Sequence, residues 1–190
     1  MWQNFLNNLW AWLGAGKPAP PPPRPPTTPE PPPLNPGQGF DVELLDAHNQ
    51  ARKTAGLQAL TLHVQLDAAA QAHADWMARN RDMDHNETPG TPSYYGVEFD
   101  DRIRKAGYNP RSGGENIAAG QRSAQQVFTA WMNSSGHRRN ILNTVYWHCG
   151  FGAARDQYGN LYWCAVFASP VHRARVQATY HLPRALVRRG

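Results

Sequence analysis

The run from Pro18 to Pro36 sets the outer limit on what this chain can fold into, because most of its residues are proline, mixed with threonine, arginine and glutamate. Proline fixes φ at roughly −65° and offers no backbone N–H, so the run can neither propagate a helix nor pair inside a sheet. It reads as extended polyproline II without a core, a disordered, semi-rigid spacer over residues 16–39. The competing reading is a docking motif for a proline-recognising domain. Of the 190 residues, positions 40–170 are left to build one domain, a length in the ordinary domain range. Residues 1–15 and 171–190 are its appendages.

Trp2, Phe5, Leu6, Leu9 and Leu13 fall at helical spacing, with Trp10 and Trp12 beside them and Asn7 and Asn8 opposite. Roughly fourteen residues at ~1.5 Å rise cannot span a ~30 Å hydrocarbon core, so this is not a transmembrane helix. No basic residue precedes the apolar stretch and no cleavage site is clear, which argues against a secretory signal. Residues 1–14 instead suit a membrane interface or a groove on a partner protein. The formal charge is +5, and Arg173, Arg175, Arg184, Arg188 and Arg189 account for it. This basic tail favours anionic surfaces. The domain lacks the interleaved basic and aromatic residues that nucleic-acid binding requires.

Within the domain, Leu44, Leu45, His48 and Arg52 recur at helical spacing from about Asp41 to Thr54, and Gly56 ends the pattern. A second helix, roughly Val64 to Asn80, carries Leu66, Ala69, Ala70, His73, Ala74 and Met77 on one face. His48 and His73 lie on these apolar stripes and read as structural imidazoles; Asn49 and Arg52 read as polar anchors for nearby loops. The segment 82–95 is a polar loop holding His85, broken by Pro89, Gly90 and Pro92. A short helix over about 99–106 follows, closed by Gly107. Ser123 and Gln126 form a capping-box signature for a helix over 124–133, and a short helical segment over 137–143 follows Gly136. Residues 147–155 and 160–169 read as a hairpin, with a third strand near 116–119. Helices packed on a small antiparallel sheet, an α+β fold, follow from this order.

The two cysteines, Cys149 and Cys164, lie in the two arms of the hairpin. Paired strands are ~5 Å apart, which suits a cross-strand disulfide if the register matches. The alternative is two small buried thiols. A disulfide would place the domain outside the reducing cytoplasm.

Four segments occur in a telling order: His48-Asn49-x-x-Arg52, Gly114-Glu115-Asn116-Ile117, Trp131-x-x-Ser134-x-Gly136-His137-Arg138-x-Asn140-Ile141-Leu142, and Cys149-Gly150-Phe151-Gly152. Together they resemble the CAP superfamily of cysteine-rich secretory, antigen five and pathogenesis-related proteins, in the wording of its compact bacterial branch. The resemblance covers about residues 41–170. It implies an α-β-α sandwich around a central antiparallel sheet, and it favours the hairpin disulfide. It also implies a central cavity lined by two histidines and two acidic residues. His85 matches the first histidine, Glu115 the first glutamate and His137 the second histidine. The second acidic position falls on Ser134. Asn116, Trp131 and Asn140 belong to the same motifs and read as structural.

Two imidazoles and a carboxylate can supply three zinc ligands with one position open, and a zinc-bound water could hydrolyse a peptide-like bond. Such a reaction also wants a base, and Ser134 cannot serve as one at neutral pH. Asp82, Asp84 and Glu87 are near His85 in sequence without being bound to face the cavity. A nucleophilic Ser134 or Ser135 with His137 lacks a visible oxyanion hole. The three groups can equally tie loops together by charged hydrogen bonds around a pocket. The reading that follows is an extracellular or cell-envelope binding module, more a binder than an enzyme, for a hydrophobic small molecule or envelope component. A zinc-dependent hydrolase is the alternative.

Overall fold

The computed structural model describes residues 39–171. The expected amphipathic helix of residues 1–15, and all but the junction residues of the proline spacer and basic tail, lie outside them. In chain order the elements are α1 (Phe40–Thr54), β1 (Thr61–Leu62), α2 (Val64–Asn80), α3 (Phe99–Lys105), β2 (Pro110–Ala119), α4 (Ala124–Asn133), α5 (Ser135–Ile141), β3 (His148–Arg155) and β4 (Leu161–Pro170). The strands form one sheet in the order β1-β3-β4-β2.

Local chemistry explains the helix ends. Ser123 Oγ accepts the N–H of Gln126 and starts α4, as its capping signature requires. At α1 the cap is Gly39, in a left-handed conformation, while Asp41 and Glu43 sit in the first turn against the positive end of the helix dipole. His63 caps α2 with its own ring nitrogen.

Strand β4 is buried from Leu161 to Ser169 because helices cover both faces of the sheet. One face packs Trp163, Phe167 and Phe151 against Phe40 and Leu44 of α1 and Val127 and Trp131 of α4. The other packs Ile117, Cys164 and Val166 against Leu66, Ala70 and Met77 of α2 and Ile103 of α3. This is the α-β-α layering expected from the motifs. The sheet is not wholly antiparallel: β1 pairs in parallel with the start of β3, Thr61 opposite His148.

Gly150 and Gly152 let α2 lie directly on β3. A Cβ on Gly150 would stand 2.1 Å from the carbonyl carbon of Leu66, and one on Gly152 would stand 2.4 Å from that of Ala70. At this distance α2 side chains reach the strand's backbone: Asp67 Oδ1 accepts from Phe151 N, and Gln71 bonds both the N–H and the carbonyl of Ala153. Beyond the two residues of β1, the free edge of β3 is thus occupied from within the molecule. Burial pushes the Asp67 carboxyl up to about 6, against the opposing pull of the Phe151 hydrogen bond.

The expected Cys149–Cys164 disulfide is ruled out by register. Cys164 stands opposite Gly152, and Cys149 opposite Phe167. The offset of three residues puts the sulfurs on opposite faces, Cys149 among the aromatic side chains under α1 and α4, Cys164 under α2. Both are buried free thiols. Among the described residues no helix is long and apolar enough to cross a membrane.

Candidate functional site

Glu115 lies in the middle of β2, on the face covered by α2, with its side chain only 1% exposed. A bare carboxylate there would be costly, so its partners define the site. Arg102 of α3, equally buried, places Nη2 2.8 Å from Glu115 Oε2. The same Nη2 donates to the carbonyl of His85, while Nη1 donates to the carbonyls of Gly96 and Val97. One guanidinium therefore fastens the loop before α3 to the sheet.

That loop contributes two side chains. His85 Nδ1 is 2.9 Å from Glu115 Oε1, yet the imidazole is 53% exposed. Glu87, fully buried, accepts the backbone N–H groups of Tyr95 and Gly96 and pairs with His73 Nδ1 of α2 at 3.0 Å. His73 Nε2 in turn stands 3.8 Å from Glu115 Oε1. Two carboxylates thus share one guanidinium and two imidazoles. His73, which the sequence places on a plain apolar stripe, joins them inside the core.

The electrostatics follow from this order of partners. The hydrogen bond to Glu115 raises the His85 pKa, outweighing its partial burial. Burial alone would raise that of Glu115, but the His85 hydrogen bond and the nearby His73 and Arg102 together hold it below the ordinary carboxylate value. His137, in the first turn of α5, is shifted down by burial and by the neighbouring charge of His85. His85, with its pKa raised, thus stands near His137, with its pKa lowered. Because Glu115 accepts from Nδ1–H, Nε2 is the His85 ring nitrogen left to meet a ligand.

The motif asparagines hold these pieces together. Asn140 donates to the Glu115 carbonyl and to Asn116 Oδ1, and Asn116 donates to the carbonyl of His137. Trp131 Nε1 donates to the Ile117 carbonyl, further along β2. Away from the cluster, Asn49 exchanges two hydrogen bonds with the backbone of Leu60. Arg52 donates to the carbonyls of Gln58, Ile141, Asn143 and Tyr146. His48 is buried among Phe128, Trp131, Phe151 and Phe167, bonded to the Leu44 carbonyl.

A three-ligand zinc site built from His85, Glu115 and His137 does not fit this arrangement. Each Glu115 oxygen already has a partner, Oε1 with His85 and Oε2 with Arg102. Among the described residues no three His, Cys, Asp or Glu side chains are gathered so as to hold an ion. Ser134, standing where a second acid was expected, is the junction between α4 and α5, and its hydroxyl makes no capping bond. Glu87 is the second carboxylate in the cluster. Its signal in the sequence is its place two residues after His85, which does not reveal that it turns inward.

The profile of the cysteine-rich secretory protein family, CAP, matches residues 45–167. The chain belongs to the CAP family. Among relatives, the uncharacterized protein YkwD of Bacillus subtilis is 33% identical over 135 residues, which cover 71% of this chain and 49% of YkwD. The uncharacterized membrane protein YlbC of the same organism is 30% identical over 116 residues, 61% of this chain and 32% of YlbC. The chain thus spans half or less of the length of these curated relatives. Among solved structures, an extracellular SCP-domain protein from Bacillus anthracis superposes with a TM-score of 0.58 at 25% identity, over 68% of this chain and 40% of that one. An outer surface protein from Borrelia burgdorferi gives a TM-score of 0.60 at 22% identity, over 68% of this chain and 91% of that one. The latter shares the CAP fold.

Proposed function

We propose that this CAP domain is an extracytoplasmic binding module that holds an acidic group of a cell-envelope component against His85. One observation carries the reading: a half-exposed imidazole is ion-paired to a carboxylate that is itself locked by a buried arginine. Such a donor is pre-oriented before any ligand arrives, so little ordering cost is left for binding. His137 adds a second imidazole near it, its pKa shifted down. Met83, Tyr94 and Val97, on the loop segment that carries His85, are exposed apolar side chains that give an envelope ligand further surface. Placement outside the cytoplasm is supported by the extracellular and outer-surface proteins that share the fold.

A soluble peptidoglycan fragment with free carboxylates is a suitable probe. Added to the full chain, it should shift the His85 ring resonances saturably, and His85→Ala should abolish binding without unfolding the protein. A fragment that binds equally well to His85→Ala, or leaves the His85 ring unmoved, contradicts the proposal.

A further inference from the structure

A polar cavity of about 330 Å³ opens between the C-terminal end of α2 and the β3–β4 turn. Its walls bring together Arg79, Arg81 and Arg155 with Asp75 and Asp156. Arg155 is opposite Leu161 in the β3–β4 register, whereas Glu115 is opposite Val166 in the β2–β4 register. Five strand positions at ~3.3 Å each put the cavity roughly 17 Å along the sheet from Glu115.

The acidic groups there have other work. Asp156 accepts the N–H groups of Tyr158 and Asn160 and the Asn160 side-chain amide, which builds the turn. Asp75 accepts from Gln71. Arg79 stands four residues after Asp75, the spacing that pairs Arg104 with Asp100 on α3, but among the described residues it is in no ion pair. Arg81 lies over the ring of Tyr158, itself 68% exposed, and is likewise in no ion pair among the described residues. Arg155 is anchored to the Gly159 carbonyl.

The backbone adds an independent observation. Arg81 ends α2 at φ 54° and ψ 41°, the left-handed region where glycine or asparagine is the ordinary choice. Favourable interaction with the helix dipole accounts for a cation at Arg79 in the last turn. It does not account for a long charged side chain at a strained cap, nor for a third guanidinium supplied by a different element.

The geometry points to this cavity as a binding site for a phosphate-type oxyanion, separate from the His85–Glu115 cluster. Guanidinium forks match the oxygens of a phosphate in pairs, and the three arginines exceed the two aspartates by one charge. Tyr158 holds the Arg81 fork in place by a cation–π contact, reducing the freedom that binding must remove.

The test is a two-dimensional NMR titration of the full chain with inorganic phosphate and, in parallel, with a short poly(glycerol phosphate). Phosphate should shift the amides of residues 79–82 and 155–158, more weakly as salt rises. Arg79→Ala with Arg81→Ala should weaken it by about tenfold or more, the loss of two charge-assisted contacts. Arg81→Gly relieves the backbone, so it should melt no lower than the parent while still losing affinity; a residue that merely capped the helix would leave affinity unchanged. Tighter binding of the polymer per phosphate identifies a phosphodiester source, and equal binding identifies the free anion. No shift at these residues with millimolar phosphate, or shifts that persist in the double variant, overturn the assignment.

Discussion

Arg102 Nη2 and Glu115 Oε2 lie 2.8 Å apart, each side chain about 1% exposed, so the carboxylate that holds His85 is compensated inside the core. Removing one member leaves the other buried and unpaired, which typically costs ~3–5 kcal/mol. Arg102→Met should therefore destabilise the domain on that scale, because both Glu115 and Glu87 lose a cation. Denaturant unfolding measures this directly. A loss of well under 1 kcal/mol would mean that the pair is solvated.

The contact of α2 with β3 makes an equally sharp demand. Gly150→Ala would drive a Cβ to 2.1 Å from Leu66 backbone, where no side chain can rotate away. Overpacking of this kind costs ~1–3 kcal/mol and more where backbone must move. Gly136→Ala in α5 meets nothing within 4 Å and should be neutral or stabilising by about 0.5–1 kcal/mol, the helix preference of alanine over glycine. Thermal melts of the two variants should move in opposite directions or differ by many degrees.

Cys149 and Cys164 should remain free thiols even in oxidising medium. Intact mass without reduction should show both hydrogens retained, and alkylation should be slow until the protein unfolds, since burial raises both thiol pKa values. A Cys149–Cys164 link would contradict the strand register.

Acid should weaken the fold through His48. Burial lowers its pKa from 6.5 to about 4, so the unfolded chain takes up the proton first. Stability from this group is complete above pH 6.5 and is lost as pH falls toward 4, a change of about 3 kcal/mol. His63 and His148 are shifted down by burial too and act in the same direction. Denaturation curves between pH 7 and pH 4 should show the decline, and His48→Gln should flatten it.

How much of this was legible depended on whether the signal was local. α2 and α4 lie close to their expected spans because their apolar spacing, and for α4 the Ser123 capping signature, are local signals. The hairpin register could not be read, because β3 and β4 are buried on both faces and carry no alternation to set it; the disulfide expectation failed for that reason. β1 was missed because two residues of strand leave no pattern. The motifs brought His85, Glu115 and His137 to one place, but nothing in the spacing of His73, Glu87 and Arg102 reveals that they converge behind Glu115 from three separate segments.

Glu115 raises the affinity of His85 for a proton, whereas burial and the His85 charge lower that of His137. A pH titration of the histidine ring resonances in the folded protein tests this ordering most directly. The His85 pKa should lie above 6.5 and the His137 pKa below it, with Glu115→Gln lowering the former. Equal values, or a His85 that titrates below His137, would contradict it.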